Sequence, residues 1–283
     1  MAILPSKLIL EPLLKTWLLE DIGRGDRTTN AIFTEENSHQ KAYWLLKEDG
    51  VIAGLPIAKM VFQLLDEKLL FTEQIEEGKY YLAGTKLVTM AGKMDALLTG
   101  ERVALNLVMH LSGIATMTRK YVEAIAHYPT QLVDTRKTTP GLRILEKYAT
   151  QIGGAINHRM GLDDAVMIKD NHIEAAGSIA RAIALIRGNI PYPLTIEVET
   201  NNLEQVQEAI EHQANIIMLD NMTIAQMKQA VTIIRQSNQN IKIEASGNVT
   251  LDNIQQIAQT GIDFISTSAT ITRAPWLDLS MKF

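Results

Sequence analysis

Cysteine is absent from the 283 residues. That excludes disulfides, thiolate metal sites and a cysteine nucleophile. No apolar run reaches membrane-spanning length, and nothing near the N-terminus has the composition of a signal peptide. Cytoplasmic residence is the expectation from those absences. There is no low-complexity segment and no long block of one charge. A basic excess is missing as well: 27 Lys and Arg stand against 32 Asp and Glu, a formal charge of −5. General nucleic-acid binding, which needs a cationic face, is therefore not expected. The H-E-x-x-H zinc motif, the G-x-S-x-G elbow, the Walker loop and the dinucleotide fingerprint are all lacking, and the six histidines have no convincing zinc spacing. What remains is a chain that is 46% hydrophobic, enough for one large domain or two ordinary ones.

Against that acidic background one window stands out. Residues 131–160 hold five Lys or Arg and two carboxylates. An apolar run, Gln131-Leu132-Val133, stops at Asp134-Thr135-Arg136-Lys137. Some twenty residues later Asn157-His158-Arg159 follows Gly153-Gly154. Cations massed at a strand end and beside glycines point to a pocket for a small, heavily anionic ligand. Arg143 and Lys147 read differently: they sit on a short helix with Glu146 to balance them.

The first part of the chain reads as a small α/β unit. Residues 8–19 have helical spacing of apolar side chains. Strands are expected at 41–46 and 51–55, joined as a hairpin through Asp49-Gly50. A helix opened by Pro56 follows over 57–65, then strands near 80–82 and 86–91. A long helix spans about 96–127 with a break at Gly113, and forms the passage between two domains. After residue 130 short apolar strands alternate with helices. The strands are expected at 131–134, 165–168, 194–198, 215–219, 242–245 and 261–266, and the helices at 177–187, 203–212, 224–235 and 251–260. Such alternation implies parallel pairing.

Each of these strands stops at a functional group: Arg136 and Lys137, Lys169, Glu199, Asp220, Ser246-Gly247 and Ser266. In an α/β barrel such groups converge at one end, whereas an open sheet would spread them along an edge. The barrel is the favoured reading. Arg136, Lys137, Arg159 and Lys169 suit a ligand with carboxylate and phosphate groups. Glu199 and Asp220 could hold Mg²⁺ opposite phosphates, face a developing positive charge, or form salt bridges to the nearby cations. Ser246-Gly247-Asn248, read as a strand end that opens a helix, and Thr267-Ser268 are candidate phosphate loops. His158 could hydrogen-bond a carboxylate or ring nitrogen, with His172 behind the site.

Taken together, the ordered blocks resemble the quinolinate phosphoribosyltransferase family. They are the loop at 20–26, the segment at 100–106, Leu111 to Thr116, Asp134 to Pro140, Asn157-His158-Arg159 and Lys169-Asp170-Asn171-His172. Ile196-Glu197-Val198-Glu199, Met218-Leu219-Asp220-Asn221 and Glu244-Ala245-Ser246-Gly247 complete the set. The resemblance implies an α/β fold with an N-terminal α/β sandwich and an incomplete, TIM-like (β/α) barrel. The boundaries would fall at residues 1–112, joined by the tail 272–283, and 113–271. It implies phosphoribosyl transfer from phosphoribosyl pyrophosphate to quinolinate with Mg²⁺, giving nicotinate mononucleotide, pyrophosphate and CO2 for NAD biosynthesis. Arg136, His158, Arg159 and Lys169 would hold quinolinate. Lys137, Glu199 and Asp220 would be catalytic and serve the ribosyl pyrophosphate and its metal. A homodimer, or a hexamer built from it, would share its sites, with Arg102 reaching a neighbour's pocket. The last loop departs from the family pattern: Ser268 stands for a glycine and Thr272 for a histidine, with Arg273 next. A paralogue with another acceptor and a non-catalytic sensor are the alternatives.

Overall fold

The computed structural model describes residues 2–33 and 39–283. In chain order the elements of the first half are α1 (Lys7–Ile22), α2 (Arg27–Ile32), β1 (His39–Leu46), β2 (Gly50–Val51), α3 (Leu55–Leu65), β3 (Leu70–Glu73), β4 (Tyr80–Tyr81), β5 (Lys86–Lys93) and α4 (Met94–Ala124). The second half holds β6 (Gln131–Val133), α5 (Arg143–Gly153), β7 (Val166–Ile168), α6 (Asp170–Ala176), α7 (Ile179–Arg187), β8 (Ile196–Thr200) and α8 (Leu203–Glu211). It continues with β9 (Ile216–Asp220), α9 (Ile224–Ser237), β10 (Lys242–Ser246), α10 (Ile254–Ala258), β11 (Phe264–Ser266), α11 (Ala269–Thr272) and β12 (Leu279–Lys282). Two compact units result, one of residues 1–119, 144–154 and 273–283, the other of 120–143 and 155–272. The long helix α4 runs from the first into the second.

The first unit carries an antiparallel sheet in the order β12-β1-β5-β3. Alternation along β1 turns Ala42, Trp44 and Leu46 inward. Trp44 meets Phe62 of α3 and Phe71 of β3, each with ring centroids 6.1 Å away. The expected hairpin at Asp49-Gly50 does not form. β1 pairs with β5 and β12, while β2 pairs with β4. Asp49 is spent on the backbone N–H of Ala83 at 2.7 Å, which draws the turn toward β4. Nor does Gly113 break α4. It is a point of close approach: a Cβ there would lie 2.0 Å from the Pro275 carbonyl oxygen. α5 is helical as expected, but Glu146 and Lys147 are fully buried on it, so that face is not a solvated one. Glu146 meets His110 Nε2 at 2.9 Å.

The second unit is a six-stranded parallel sheet in the order β6-β11-β10-β9-β8-β7. From β7 to β11 each strand pairs with the next in sequence, and the first strand, β6, pairs with the last. Only the seam between β6 and β7 stays open. There Ile156 makes a single parallel bridge to Val133. First-with-last pairing is what a barrel requires and an open doubly wound sheet does not have. The fold thus comprises an incomplete α/β barrel and an α/β sandwich unit. Side chains alternate strictly. Ile168, Val198, Ile217, Leu219, Ile243, Ala245 and Ile265 form the apolar layer, and their neighbours point the other way. The helix expected over 177–187 is α7, and a further short helix precedes it: α6 follows Lys169 at once, and Gly177 at φ 93 ends it before α7.

Candidate active site

Every strand of the barrel sends a side chain into one cavity of about 550 Å³ at the C-terminal strand ends. β6 leads into Asp134 to Lys137, β7 gives Met167 and leads into Lys169, and β8 gives Glu199. β9 gives Met218 and Asp220, β10 gives Glu244 and Ser246, and β11 gives Ser266. Met218 and Asp220 on β9, and Glu244 and Ser246 on β10, are two positions apart, the spacing that puts side chains on one face of a pleated strand. A larger open groove of about 900 Å³ lies at the opposite ends of β8, β9 and β10 and holds no carboxylate. Chemistry in such barrels belongs at the C-terminal end, so the smaller cavity is the candidate active site.

Asp134 builds one wall. It is fully buried. Its Oδ1 accepts the backbone N–H of His158 at 2.8 Å, and its Oδ2 accepts Nδ2 of Asn157 at 2.6 Å. Ile156 N–H donates to Leu132 O at 2.9 Å. These bonds dock the 156–159 segment on β6 and present His158 and Arg159. Arg159 is buried and donates Nη1–H to Ala165 O at 2.8 Å. Burial lowers its pKa, and the charge of Arg136 lowers it further. Two guanidiniums lining one cavity suit an anionic partner. Lys169, at the end of β7, pairs with Glu199 Oε2 at 2.7 Å. Its backbone N–H donates to His172 Nδ1 at 3.0 Å, which starts α6. His172 thus stands behind the site as a helix cap.

Behind His158 lies an acidic pair, of which Glu244 lines the cavity. His158 Nε2 lies 3.1 Å from Glu197 Oε2 and 3.6 Å from Glu244 Oε2. Both carboxylates are buried. Burial, and then the nearby charge of Glu197, push the Glu244 carboxyl up to about 7. The Arg159 backbone N–H donates to His158 Nδ1 at 2.7 Å. That bond makes Nδ1 an acceptor and leaves the ring proton on Nε2, facing the carboxylates. Both ring nitrogens are therefore committed to protein groups. The ring lines the cavity, and the carboxylates it meets are the protein's own. Glu197 and Glu244 were not among the sequence candidates. Strand parity could have found them, since a strand that aims Glu199 inward aims Glu197 inward too.

Of the expected site residues, Arg136, Lys137, His158, Arg159, Lys169, Glu199, Asp220, Ser246, Gly247 and Asn248 line the one cavity. Thr267, Ser268 and Arg102 do not. Thr267 is buried, with its Oγ1 taken by the N–H of Ala269 at 3.2 Å. Ser268 is half-buried and gives its carbonyl to Thr272 Oγ1. Arg102 is exposed on α4 in the first unit. The helix expected directly after Ser246-Gly247-Asn248 begins only at Ile254. Positive φ at Gly247 and Asn248, 92 and 49 degrees, turns the chain out of helical geometry. A tight loop, and not a helix N-terminus, borders the cavity there.

Two oxygen-rich groups could take a hard cation. His158, Glu197 and Glu244 are close enough to ligate one ion, but Nε2 carries the ring proton and has no lone pair to offer. Glu199 and Asp220 supply carboxylate oxygens only. One or two carboxylates with substrate phosphates and water are what Mg²⁺ accepts, so the donor chemistry of that pair fits. Among the described residues no helix is long and apolar enough to cross a membrane.

Comparison with known proteins agrees along the whole chain. Residues 26–112 match the family model described as quinolinate phosphoribosyl transferase, N-terminal domain, and residues 114–282 match that of its C-terminal domain. A probable nicotinate-nucleotide pyrophosphorylase (carboxylating) of Synechocystis is 63% identical over 100% of this chain and 95% of its own. One from Bacillus subtilis is 43% identical over 98% and 94%. The crystal structure of NadC from Streptococcus pyogenes superposes with a TM-score of 0.94 at 41% identity, covering 99% and 98%. With both halves matched in order, the chain belongs to the quinolinate phosphoribosyltransferase family.

Proposed function

We propose that this protein transfers the phosphoribosyl group of phosphoribosyl pyrophosphate to quinolinate and releases CO2, yielding nicotinate mononucleotide and pyrophosphate for NAD biosynthesis. The observation that carries the reading is the convergence of Arg136, Arg159 and Lys169 with Glu199 and Asp220 in a single barrel-end cavity. Quinolinate carries two adjacent carboxylates, and two guanidiniums lining one cavity suit such an anion. Lys137, exposed on the loop after β6, supplies a mobile point charge for the phosphates. Ser246, Gly247 and Asn248 border the same region.

The reaction joins the pyridine nitrogen to the ribosyl carbon that bears pyrophosphate, and that carbon–oxygen bond breaks. The ring then loses the carboxylate beside the nitrogen as CO2, and the carbon it leaves takes a proton. Arg136, Arg159 and Lys169 fix the dicarboxylate, while Glu199 and Asp220 face the cationic ribosyl carbon as it develops. Glu199 and Asp220 would hold Mg²⁺, which would supply charge neutralisation for the departing pyrophosphate. The functional unit is a homodimer in which Arg102 completes the partner's site.

Incubation of the purified protein with quinolinate, phosphoribosyl pyrophosphate and Mg²⁺ tests the reading. Nicotinate mononucleotide, with one CO2 and one pyrophosphate each, is the expected yield. Binding of both substrates without product would make the protein a sensor.

A further inference from the structure

Asp220 ends a chain of three carboxamides. Asn221 Nδ2 donates to Asp220 Oδ2 at 2.8 Å. Asn221 Oδ1 accepts Nδ2 of Asn248 at 3.0 Å. The carbonyl oxygen of Asn248 accepts Nδ2 of Asn253 at 3.0 Å. Asn253 is itself anchored, since its Oδ1 accepts the Thr250 N–H at 2.8 Å at the start of α10. The chain crosses from the β10 loop to the end of β9. The backbone follows it, because the Asn221 N–H donates to Ser246 O at 3.0 Å.

The backbone adopts an uncommon conformation to make this contact. Among the described residues only Gln213, Asn221 and Asn248 are non-glycine residues at positive φ. Asn221 and Asn248, at 54 and 49 degrees, are the two that touch each other. Left-handed backbone at such positions costs free energy that glycine would avoid, and clusters of it mark functional sites. If the loops needed only to turn, glycine would serve better at both places. Between the two sits Gly247, where a Cβ would lie 2.2 Å from Asn221 Oδ1. A glycine thus stands where a side chain would push the carboxamide away. Asp220, Asn221, Gly247 and Asn248 all border the cavity.

We infer that Asn221 is a positioning residue for Asp220, with Asn248 and Gly247 holding Asn221 in place. The carboxamide occupies Oδ2 and fixes the carboxylate plane, so that Oδ1 is left for the pyrophosphate-bearing substrate and its cation. Asn248 dictates which end of the Asn221 amide faces Asp220: its N–H takes Oδ1, and the NH₂ must turn to the carboxylate. This rests on the assignment of Asp220 to phosphoribosyl pyrophosphate.

The test is calorimetric binding of Mg²⁺–phosphoribosyl pyrophosphate with no quinolinate present, so that no turnover occurs. Quinolinate binding is measured in parallel. Asn221→Gly keeps the left-handed backbone and removes only the carboxamide. It is expected to weaken the Mg²⁺ complex about tenfold, the lower end of a hydrogen bond to a charged group. Quinolinate affinity should be unchanged. Asn248→Gly should weaken the same ligand less, and the double variant should be no worse than Asn221→Gly, because Asn248 acts through Asn221. Asn221→Asp, which keeps the shape, loses the donor and sets a second carboxylate against Asp220, should weaken binding at least as much and covers any loss of folding in the glycine variant. Asp220→Asn is the control. If it weakens binding while Asn221→Gly and Asn221→Asp do not, the carboxamide chain is only a turn and the inference is overturned. Should Asp220→Asn itself bind as wild type, the assignment of Asp220 fails and the inference fails with it.

Discussion

The Arg159 backbone N–H donates to Nδ1 of His158 at 2.7 Å, and this single bond sets the chemistry of the imidazole. It leaves the ring proton on Nε2, 3.1 Å from Glu197. The histidine thereby ties the acidic pair to the residue that carries the buried guanidinium. Glu197→Gln keeps an acceptor for that proton and should bind quinolinate nearly as wild type. Glu197→Leu strands a buried donor, at a cost of about 1–3 kcal/mol. Titration calorimetry should show roughly tenfold or greater loss of quinolinate affinity for Leu alone. Equal losses for Gln and Leu would mean that Glu197 acts through its charge.

Arg159 and Lys169 should fail differently. Arg159 contacts Ala165 O and otherwise faces the anion pocket, so Arg159→Ala should raise KM for quinolinate alone. Lys169 also holds Glu199 at 2.7 Å. Lys169→Ala should raise KM for both substrates, by roughly ten- to a hundredfold for quinolinate given 1.5–3 kcal/mol per charged hydrogen bond. Steady-state kinetics with each substrate varied in turn separates them. Identical patterns would remove the distinction.

Glu244 makes stability depend on pH in an unusual direction. Its carboxyl is raised from 4.5 to about 7 by burial and by Glu197. Between those values the folded protein keeps a proton that the unfolded chain has released. Stability rises with pH only where the unfolded state binds more protons, and here the reverse holds. The contribution is complete below about 4.5 and is lost as pH climbs toward about 7. Glu244→Gln should flatten that decline in urea denaturation across the window. A parallel decline in the variant would place its cause elsewhere.

The proposed sharing of the site between subunits has a mixing test. Arg102→Ala and Lys137→Ala homodimers should each be nearly inactive. In a mixed dimer one site collects both lesions and the other is intact. Random pairing then restores roughly a quarter of wild-type activity on co-refolding. A mixture as inactive as its parents, with exchange verified, would keep Arg102 within its own subunit or out of the reaction.

Much of the barrel was legible in the chain. Its strands are short apolar runs that stop at charged or turn residues, and each lies within a few positions of its expected place. The cations, Glu199 and Asp220 were legible because they end those strands. What was not legible depends on partners far away in sequence. The Asp49-Gly50 turn signal is real, but β1 finds its neighbours in β5 and β12. Glu197 and Glu244 sit inside strands, where strand parity is the one local sign of which way a carboxylate faces. The burial of Lys147 likewise follows from packing and not from the helical pattern it lies in.

The pairing of β12 with β1 sets an order on the birth of the molecule. Tyr43 to Leu46 are matched with residues 279–282, more than 230 positions later. During synthesis the first sheet must wait, with Trp44 already in place but one flank of β1 bare, until the whole barrel has been made. An exposed strand edge invites pairing with other chains. The half-made protein is therefore most prone to aggregation in the interval that the final strand ends, and trimming the last five residues would prolong that interval indefinitely.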